Sequence, residues 1–214
     1  MDEKNTKPFV EIGDFEAKIY DRMLDFLSLG KYTKLINKVI AYMRIKPDDK
    51  ILDLGAGTGK NACIISKYLS TGKVIGLEIS KEMQRQFLKR KNLCKKIDLL
   101  PYRIENPLPF KEEFDKVFIS FVLHGFTQEN RIKILVNALR ALKPEGYFYI
   151  FDYNNFDIDY SPFFVKYLVR KVECPLAEDF INRKLKKMLA ENGFTEMEEK
   201  IFYKFLRLSI SKKV

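Results

Sequence analysis

The run Lys50-Ile51-Leu52-Asp53-Leu54-Gly55-Ala56-Gly57-Thr58-Gly59-Lys60 constrains this chain more than any other stretch. Ile51, Leu52 and Leu54 make the near-continuous apolar run of a strand covered on both faces of a parallel sheet. Glycines at 55, 57 and 59 permit positive φ and let the backbone approach a ligand with no Cβ between them. A helix beginning near Thr58 or Gly59 then turns its unpaired N–H groups toward that ligand. Spacing separates the possible loops. A Walker A loop needs four residues between its glycines and a Ser or Thr after the lysine. Here three residues separate Gly55 from Gly59, and Asn61 follows Lys60. A dinucleotide fingerprint G-x-G-x-x-G needs glycine where Lys60 stands. The pattern that remains is Asp-x-Gly-x-Gly-x-Gly.

Helix and strand signals alternate around this loop. Apolar residues at helical spacing predict a helix over Phe15–Leu29, stopped by Gly30, and a second over Thr33–Arg44. Asn61–Leu69 reads as a crossover helix and Lys73–Ile79 as a second buried strand. Glu78 interrupts that strand at its carboxyl end, nineteen residues after Gly59. In doubly wound sheets an acid at this place accepts hydrogen bonds from both ribose hydroxyls of a nucleoside, and Ile79 beside it would pack on the base. Ser80 caps a basic helix over 81–92, and Ile97–Leu100 is a third strand. A fourth follows from Phe114 to Leu123, then a helix over Gln128–Lys143 with Thr127 as N-cap and Ile132, Ile134, Leu135 and Leu139 on its apolar face. Lys143-Pro144-Glu145-Gly146 stops it, and Gly146–Asp152 is a fifth strand. A helix over Asp179–Ala190 and two strands near Met197–Tyr203 and Phe205–Ser211 close the chain. Short right-handed crossovers between such elements give a three-layer α/β/α sandwich.

The 214 residues fit one domain with a full core, with 1–45 as an N-terminal helical lid segment. No run approaches the roughly 18 apolar residues of a membrane span, and the N-terminus lacks a signal-peptide core, so a cytoplasmic location is expected. Cys63, Cys94 and Cys174 suit neither a disulfide framework nor a metal site by spacing, and no metal is assigned. The net charge of +10 is uneven: residues 81–96 hold seven basic residues and one acid. That run reads either as a surface for an anionic partner or as a solvated helix face, and with no aromatic beyond Phe87 the second reading is preferred.

The Asp53–Gly59 loop with its strand resembles the first motif of the class I S-adenosylmethionine (SAM) dependent methyltransferases. Leu108-Pro109-Phe110, Phe114-Asp115-Lys116-Val117 and Leu139–Gly146 resemble later segments of the same family, so the likeness runs over about residues 15 to 212. It implies a Rossmann-like, seven-stranded, mostly parallel sheet that finishes in an antiparallel hairpin. Tyr20-Asp21…Asp25…Leu27-Ser28-Leu29-Gly30 and the strand Phe118–Leu123 look most like the ubiquinone/menaquinone C-methyltransferase branch. Two features depart from that branch: the chain has no Trp, and the branch's Arg-Asn after the fourth strand is His124-Gly125. The resemblance implies SAM as cofactor, bound through Asp53, Gly55, Gly57, Gly59, Glu78, Ile79 and Phe121. Tyr20 would close over it, a packing role being the equal alternative. The family's usual adenine-binding acid is replaced by Arg103, which leaves the adenine to backbone groups around Ile104 and Glu105.

Methyl transfer from a sulfonium is an in-line displacement, so alignment and desolvation supply most of the catalysis. The acceptor belongs beyond the carboxyl ends of strands one, four and five. His124 and Asp152 are the acid–base candidates there, with Asp157 near them, and the aromatic-rich stretch Asp152–Val165 is expected to form a lid over an apolar acceptor. The leading expectation is methylation of a small, aromatic or quinone-like molecule. The alternatives are a nucleic-acid methyltransferase, which the charge permits, and a catalytically idle SAM-binding module. Ser120-Phe121-Val122-Leu123 is not the Asn/Asp-Pro-Pro-aromatic motif of amino-group nucleic-acid methylation, and no Pro-Cys pair exists. Nucleic acid is therefore not favoured.

Overall fold

A computed structural model describes residues 32–172 and 175–214. The expected helix over Phe15–Leu29, with Tyr20, lies outside the described residues, as does Cys174. The elements run α1 (Tyr32–Tyr42), β1 (Lys50–Leu54), α2 (Lys60–Ser66), β2 (Lys73–Leu77), α3 (Lys81–Lys91), β3 (Ile97–Leu100) and β4 (Phe114–Ser120). A 3₁₀ turn (Leu123–Gly125), α4 (Gln128–Ala141), β5 (Leu142–Tyr153) and α5 (Phe163–Tyr167) follow. A π-helical turn (Leu168–Val172), α6 (Pro175–Ile181), α7 (Leu185–Glu191), β6 (Phe194–Phe202) and β7 (Leu206–Lys213) complete the chain.

The seven strands form one sheet in the order β3-β2-β1-β4-β5-β7-β6. β1 to β5 are parallel, and β7 pairs antiparallel with both β5 and β6. Alternation along β1 divides the core. Ile51 joins Leu35, Ile36, Val39, Ala62, Ile65 and Phe87 from α1, α2 and α3 on one face. Leu52 and Leu54 join Ile134, Leu135, Phe180 and Leu189 from α4, α6 and α7 on the other. Both faces of the sheet are therefore covered, and Ile51, Leu52, Leu54, Val117, Phe118 and Ile119 of its central strands are buried. Strand order reverses between β1 and β4, and that switch point opens the crevice in which doubly wound sheets hold ligands.

The expected fold is present, with local corrections. On α4, Ile134 and Leu135 are buried and Leu139 packs on the core as expected, but Ile132 is exposed and Arg131 is buried. Ala138 faces the core as well, whereas Val136 is exposed. The helix expected over Asp179–Ala190 is two helices, because Asn155 Nδ2 donates to the carbonyls of Ile181 and Arg183, which interrupts the backbone ladder between them. β5 begins at Leu142 rather than Gly146: Pro144 excludes helix at Lys143, and Leu142 pairs with Phe114 across a register shift. Cys63 and Cys94 form a disulfide, contrary to the reading from spacing. They lie 31 residues apart, but α2 and the end of α3 pack side by side and bring their Cα atoms to 5.7 Å.

Candidate functional site

The glycine loop joins β1 to α2 with Gly55, Gly57 and Gly59 all at positive φ. A Cβ at Gly59 would stand 2.7 Å from the Phe87 ring, and one at Gly55 2.7 Å from Val122, so those two positions admit the packing behind the loop. Gly57 differs: a Cβ there would meet no protein atom within 4 Å. Its φ of +54° aside, the position is open in front, as a loop that approaches a ligand should be.

Glu78 stands one residue past β2 rather than inside it. Its carboxylate closes the loop from the side. Oε2 accepts from Gly57 N at 3.0 Å, and Oε1 accepts from Ile79 N and Ser80 N, each at 2.8 Å. Burial raises the Glu78 pKa, opposed by these three N–H donors. Ser80 Oγ accepts from Met83 N and caps α3, and Gln84 Nε2 donates to the Glu78 carbonyl at 2.8 Å. The carboxylate is therefore held at the junction of two strand ends, with part of its four lone-pair capacity unused by the protein.

Asp53, on β1 below the loop, is 2% exposed, and its Oδ2 has no hydrogen-bond partner. Burial, and then the Glu78 charge, push its pKa up to about 7. Asp53 pairs in register with Phe118, so Ser120, two residues on, lies on the same sheet face, and its Oγ is likewise buried without a partner. Both unpartnered atoms lie near the carboxyl ends of β1 and β4, beside the loop.

The β4 and β5 ends form the opposite wall. Phe121 turns at φ +54° and sets its ring 5.0 Å from Phe151, 6.3 Å from Tyr153 and 6.5 Å from Tyr32. Lys60 Nζ lies 4.8 Å over the Tyr32 ring. His124 and Asp152, both buried, meet across the two strand ends: Nδ1 is 2.7 Å from Oδ1, and the His124 backbone N–H donates to Oδ2 at 3.2 Å. Tyr153 packs edge-on against the imidazole at 5.1 Å.

Two expected features sit differently. Ile104 is buried in the core, its carbonyl accepting from Asn137 Nδ2 at 2.8 Å, and Glu105 is paired with Arg103 at 3.0 Å. Tyr153, which ends β5, is 5% exposed, Ile158 beyond it is buried, and Phe156 packs on Phe205 at 5.1 Å, so the first half of the expected lid belongs to the core wall. Only Tyr160, Phe163, Phe164 and Tyr167 stand out into solvent. Among the described residues no cluster of His, Cys, Asp or Glu could hold a metal, and no helix is long and apolar enough to cross a membrane.

Arg131 escaped the sequence reading. It is fully buried, 3.2 and 3.1 Å from the carbonyls of Leu123 and His124, and paired with Asp179 at 2.5 Å. Its signal was a cation at the helical phase of Ile134, Leu135 and Ala138.

Known proteins agree with this architecture. A family model described as a methyltransferase domain matches residues 52–150. The chloroplastic 2-phytyl-1,4-beta-naphthoquinone methyltransferase of Arabidopsis thaliana is 32% identical over 168 residues, covering 75% of this chain and 63% of the relative. The chain thus spans less than two thirds of that relative. The ubiquinone/menaquinone biosynthesis C-methyltransferase UbiE of Wigglesworthia glossinidia brevipalpis is 28% identical over 207 residues, covering 84% and 80%. A SAM dependent methyltransferase from Aquifex aeolicus superposes with a TM-score of 0.72 at 20% identity, over 95% of this chain and 100% of that one, which speaks for the fold. By its loop, its strand order and these relatives the chain carries a methyltransferase domain over residues 52–150 and is similar to proteins named as quinone methyltransferases.

Proposed function

We propose that the chain transfers the methyl group of SAM to a small, apolar, aromatic acceptor of the quinone type. The observation that carries the reading is the cradle formed by Gly57 and Glu78: an open backbone approach beside a fixed carboxylate at the topological switch point. The residues present fit the cofactor. Glu78 would receive the ribose hydroxyls on its remaining lone pairs, and Ile79 would pack on the adenine; the Ile104 carbonyl, already taken by Asn137, is not counted among the adenine contacts. Gly55, Gly57 and Gly59 would carry the methionine part, with Asp53 beneath the loop and Phe121 against the methyl side. When bound, SAM supplies the electrophilic methyl. The chain's own task is to align the acceptor and exclude water.

Phe121, half-buried at the β4 end and backed by the buried rings of Phe151 and Tyr153, favours an apolar acceptor. The Arabidopsis relative, named for a naphthoquinone, and the Wigglesworthia relative, named for ubiquinone/menaquinone biosynthesis, support the same class. The basic helix α3 lies over the β2 and β3 side of the sheet, which weighs against a nucleic-acid acceptor at the methyl. The test is transfer of radiolabelled methyl from SAM to reduced benzoquinones and naphthoquinones, with RNA and DNA alongside. Label extracted with the quinol supports the reading. Label in nucleic acid alone, falling steeply with added salt, overturns it.

A further inference from the structure

We propose that Cys63–Cys94 is a reversible thiol–disulfide site, opened by a small thiol such as glutathione, and that its closure strengthens the grip on SAM by holding α3 against the glycine loop. The proposal rests on the methyltransferase reading above and goes beyond it, because methyl transfer itself requires no redox-active bond.

The bond ties together the two helices that leave the cradle. Cys63 N donates to the Gly59 carbonyl at 2.9 Å, so Cys63 sits one turn of α2 beyond the last loop glycine. α3 supports the cradle at two points. Its N-cap Ser80, with Ile79 before it, donates backbone N–H groups to Glu78 at 2.8 Å. Further along, the buried Phe87 backs the loop: a Cβ at Gly59 or at Gly76 would stand 2.7 Å from its ring. Cys94 N donates to the Arg90 carbonyl at 2.9 Å, which carries the last turn of α3 on to Cys94. Seven residues separate Phe87 from Cys94, so both lie on the face that packs with Ala62 and Ile65 of α2.

Both cysteines are half-buried rather than sealed in the core. Arg90, Lys91, Lys95 and Lys96 flank Cys94 in sequence, and Lys91 is paired with Asp98 at 2.6 Å, which offsets part of their field. The net positive potential favours a thiolate at Cys94 and makes it the better leaving group. The basic run that the cofactor site leaves unused thereby acquires a chemical role.

The step balances with two equivalents of the external thiol. One thiolate attacks Cys63 Sγ, the S–S bond breaks, and its electron pair leaves on Cys94 Sγ. A second thiolate attacks the outer sulfur of the mixed disulfide and releases Cys63 as a thiolate. The two protons of the reductant pass to the two cysteines, and the reductant leaves as its own disulfide. With the bond open, packing alone holds the end of α3 to α2, and the support of Phe87 and Ser80 slackens together. The coupling is reciprocal: the factor by which closure raises cofactor affinity is the factor by which bound cofactor protects the bond from reduction.

The experiment uses the full chain carrying Cys174→Ser, so that the pair holds its only sulfhydryls, with S-adenosylhomocysteine as the binding probe. Calorimetry should give an affinity about tenfold weaker after reduction by dithiothreitol, with the far-ultraviolet circular dichroism unchanged. Cys63→Ser should bind as weakly as the reduced chain and ignore dithiothreitol. In glutathione redox buffers, with alkylated thiols counted by mass spectrometry, saturating probe should move the midpoint about 30 mV more negative for a tenfold coupling. Oxidised and reduced affinities within about twofold of each other, or a midpoint unmoved by the probe, overturn the proposal. So does a bond that excess dithiothreitol leaves closed in the folded chain, or a reduced chain that unfolds at room temperature, since the bond is then a fixed staple. Absence of probe binding by the oxidised chain would instead refute the methyltransferase reading itself.

Discussion

Asp53→Asn tests whether the strain beneath the glycine loop is electrostatic. The wild-type carboxyl is 2% exposed with one orphaned oxygen, and its pKa rises from 3.8 to about 7 through burial and the Glu78 charge. Between those values the native state binds a proton that the unfolded chain releases. Its stabilisation is therefore fully present below pH 3.8 and lost as pH rises through about 7. A shift of about 3 units corresponds to about 4 kcal/mol at about 1.4 kcal/mol per unit, an upper bound because water penetration softens the burial penalty. Asparagine has the same shape and no titration. Urea denaturation of both proteins at pH 5 and pH 8.5 isolates the effect, since every other carboxylate is common to the two. The variant should gain on the wild type by about 2–4 kcal/mol between the two pH values. Parallel pH profiles, with a gap constant to within about 0.5 kcal/mol, would refute the assignment of Asp53 as an uncompensated buried acid.

Gly57→Ala adds a methyl that no protein atom opposes, so it should cost about 1–2 kcal/mol of stability for its positive φ yet abolish S-adenosylhomocysteine binding by calorimetry. Glu78→Gln turns an amide N–H₂ against one of three backbone donors, and should weaken probe binding at least tenfold while lowering Asp53's pKa by removing a neighbouring charge. Native affinity in that variant would make Glu78 a loop brace only. Reduction of the Cys63–Cys94 bond reopens a 31-residue loop and should destabilise the fold by about 3–4 kcal/mol, read as a lowered urea midpoint in dithiothreitol. An unchanged midpoint would remove the disulfide from the account.

The strand and loop signals were legible because parallel strands buried on both faces and an Asp-x-Gly-x-Gly-x-Gly turn each have one physical explanation. The capping of α3 and α4 by Ser80 and Thr127 followed from local chemistry, whereas the seven-stranded sheet with its closing hairpin followed from the resemblance. What local chemistry could not disclose is long-range. The burial of Arg131 in place of Ile132 on α4 was not legible because it depends on partners on the 3₁₀ turn and on α6. The break at Asn182 depends on Asn155, 26 residues before Ile181. The Cys63–Cys94 bond depends on two helices lying side by side. His124 and Asp152 were separately legible as candidates at strand ends, but their contact follows from the adjacency of β4 and β5. The Glu78 carboxylate was expected to face a ligand, and its three backbone donors became visible only with the loop folded.

The central claim is that the Gly57–Glu78 cradle is shaped for the nucleoside and methionine of SAM rather than for a nucleotide phosphate. Calorimetric titration of the full chain with S-adenosylhomocysteine, repeated in the presence of excess NAD or ATP, tests it most directly. The account predicts one site with a Kd of about 1–10 μM, about 7–8 kcal/mol, unaffected by either nucleotide. Displacement of S-adenosylhomocysteine by equimolar ATP or NAD, or no binding heat at all, would contradict it.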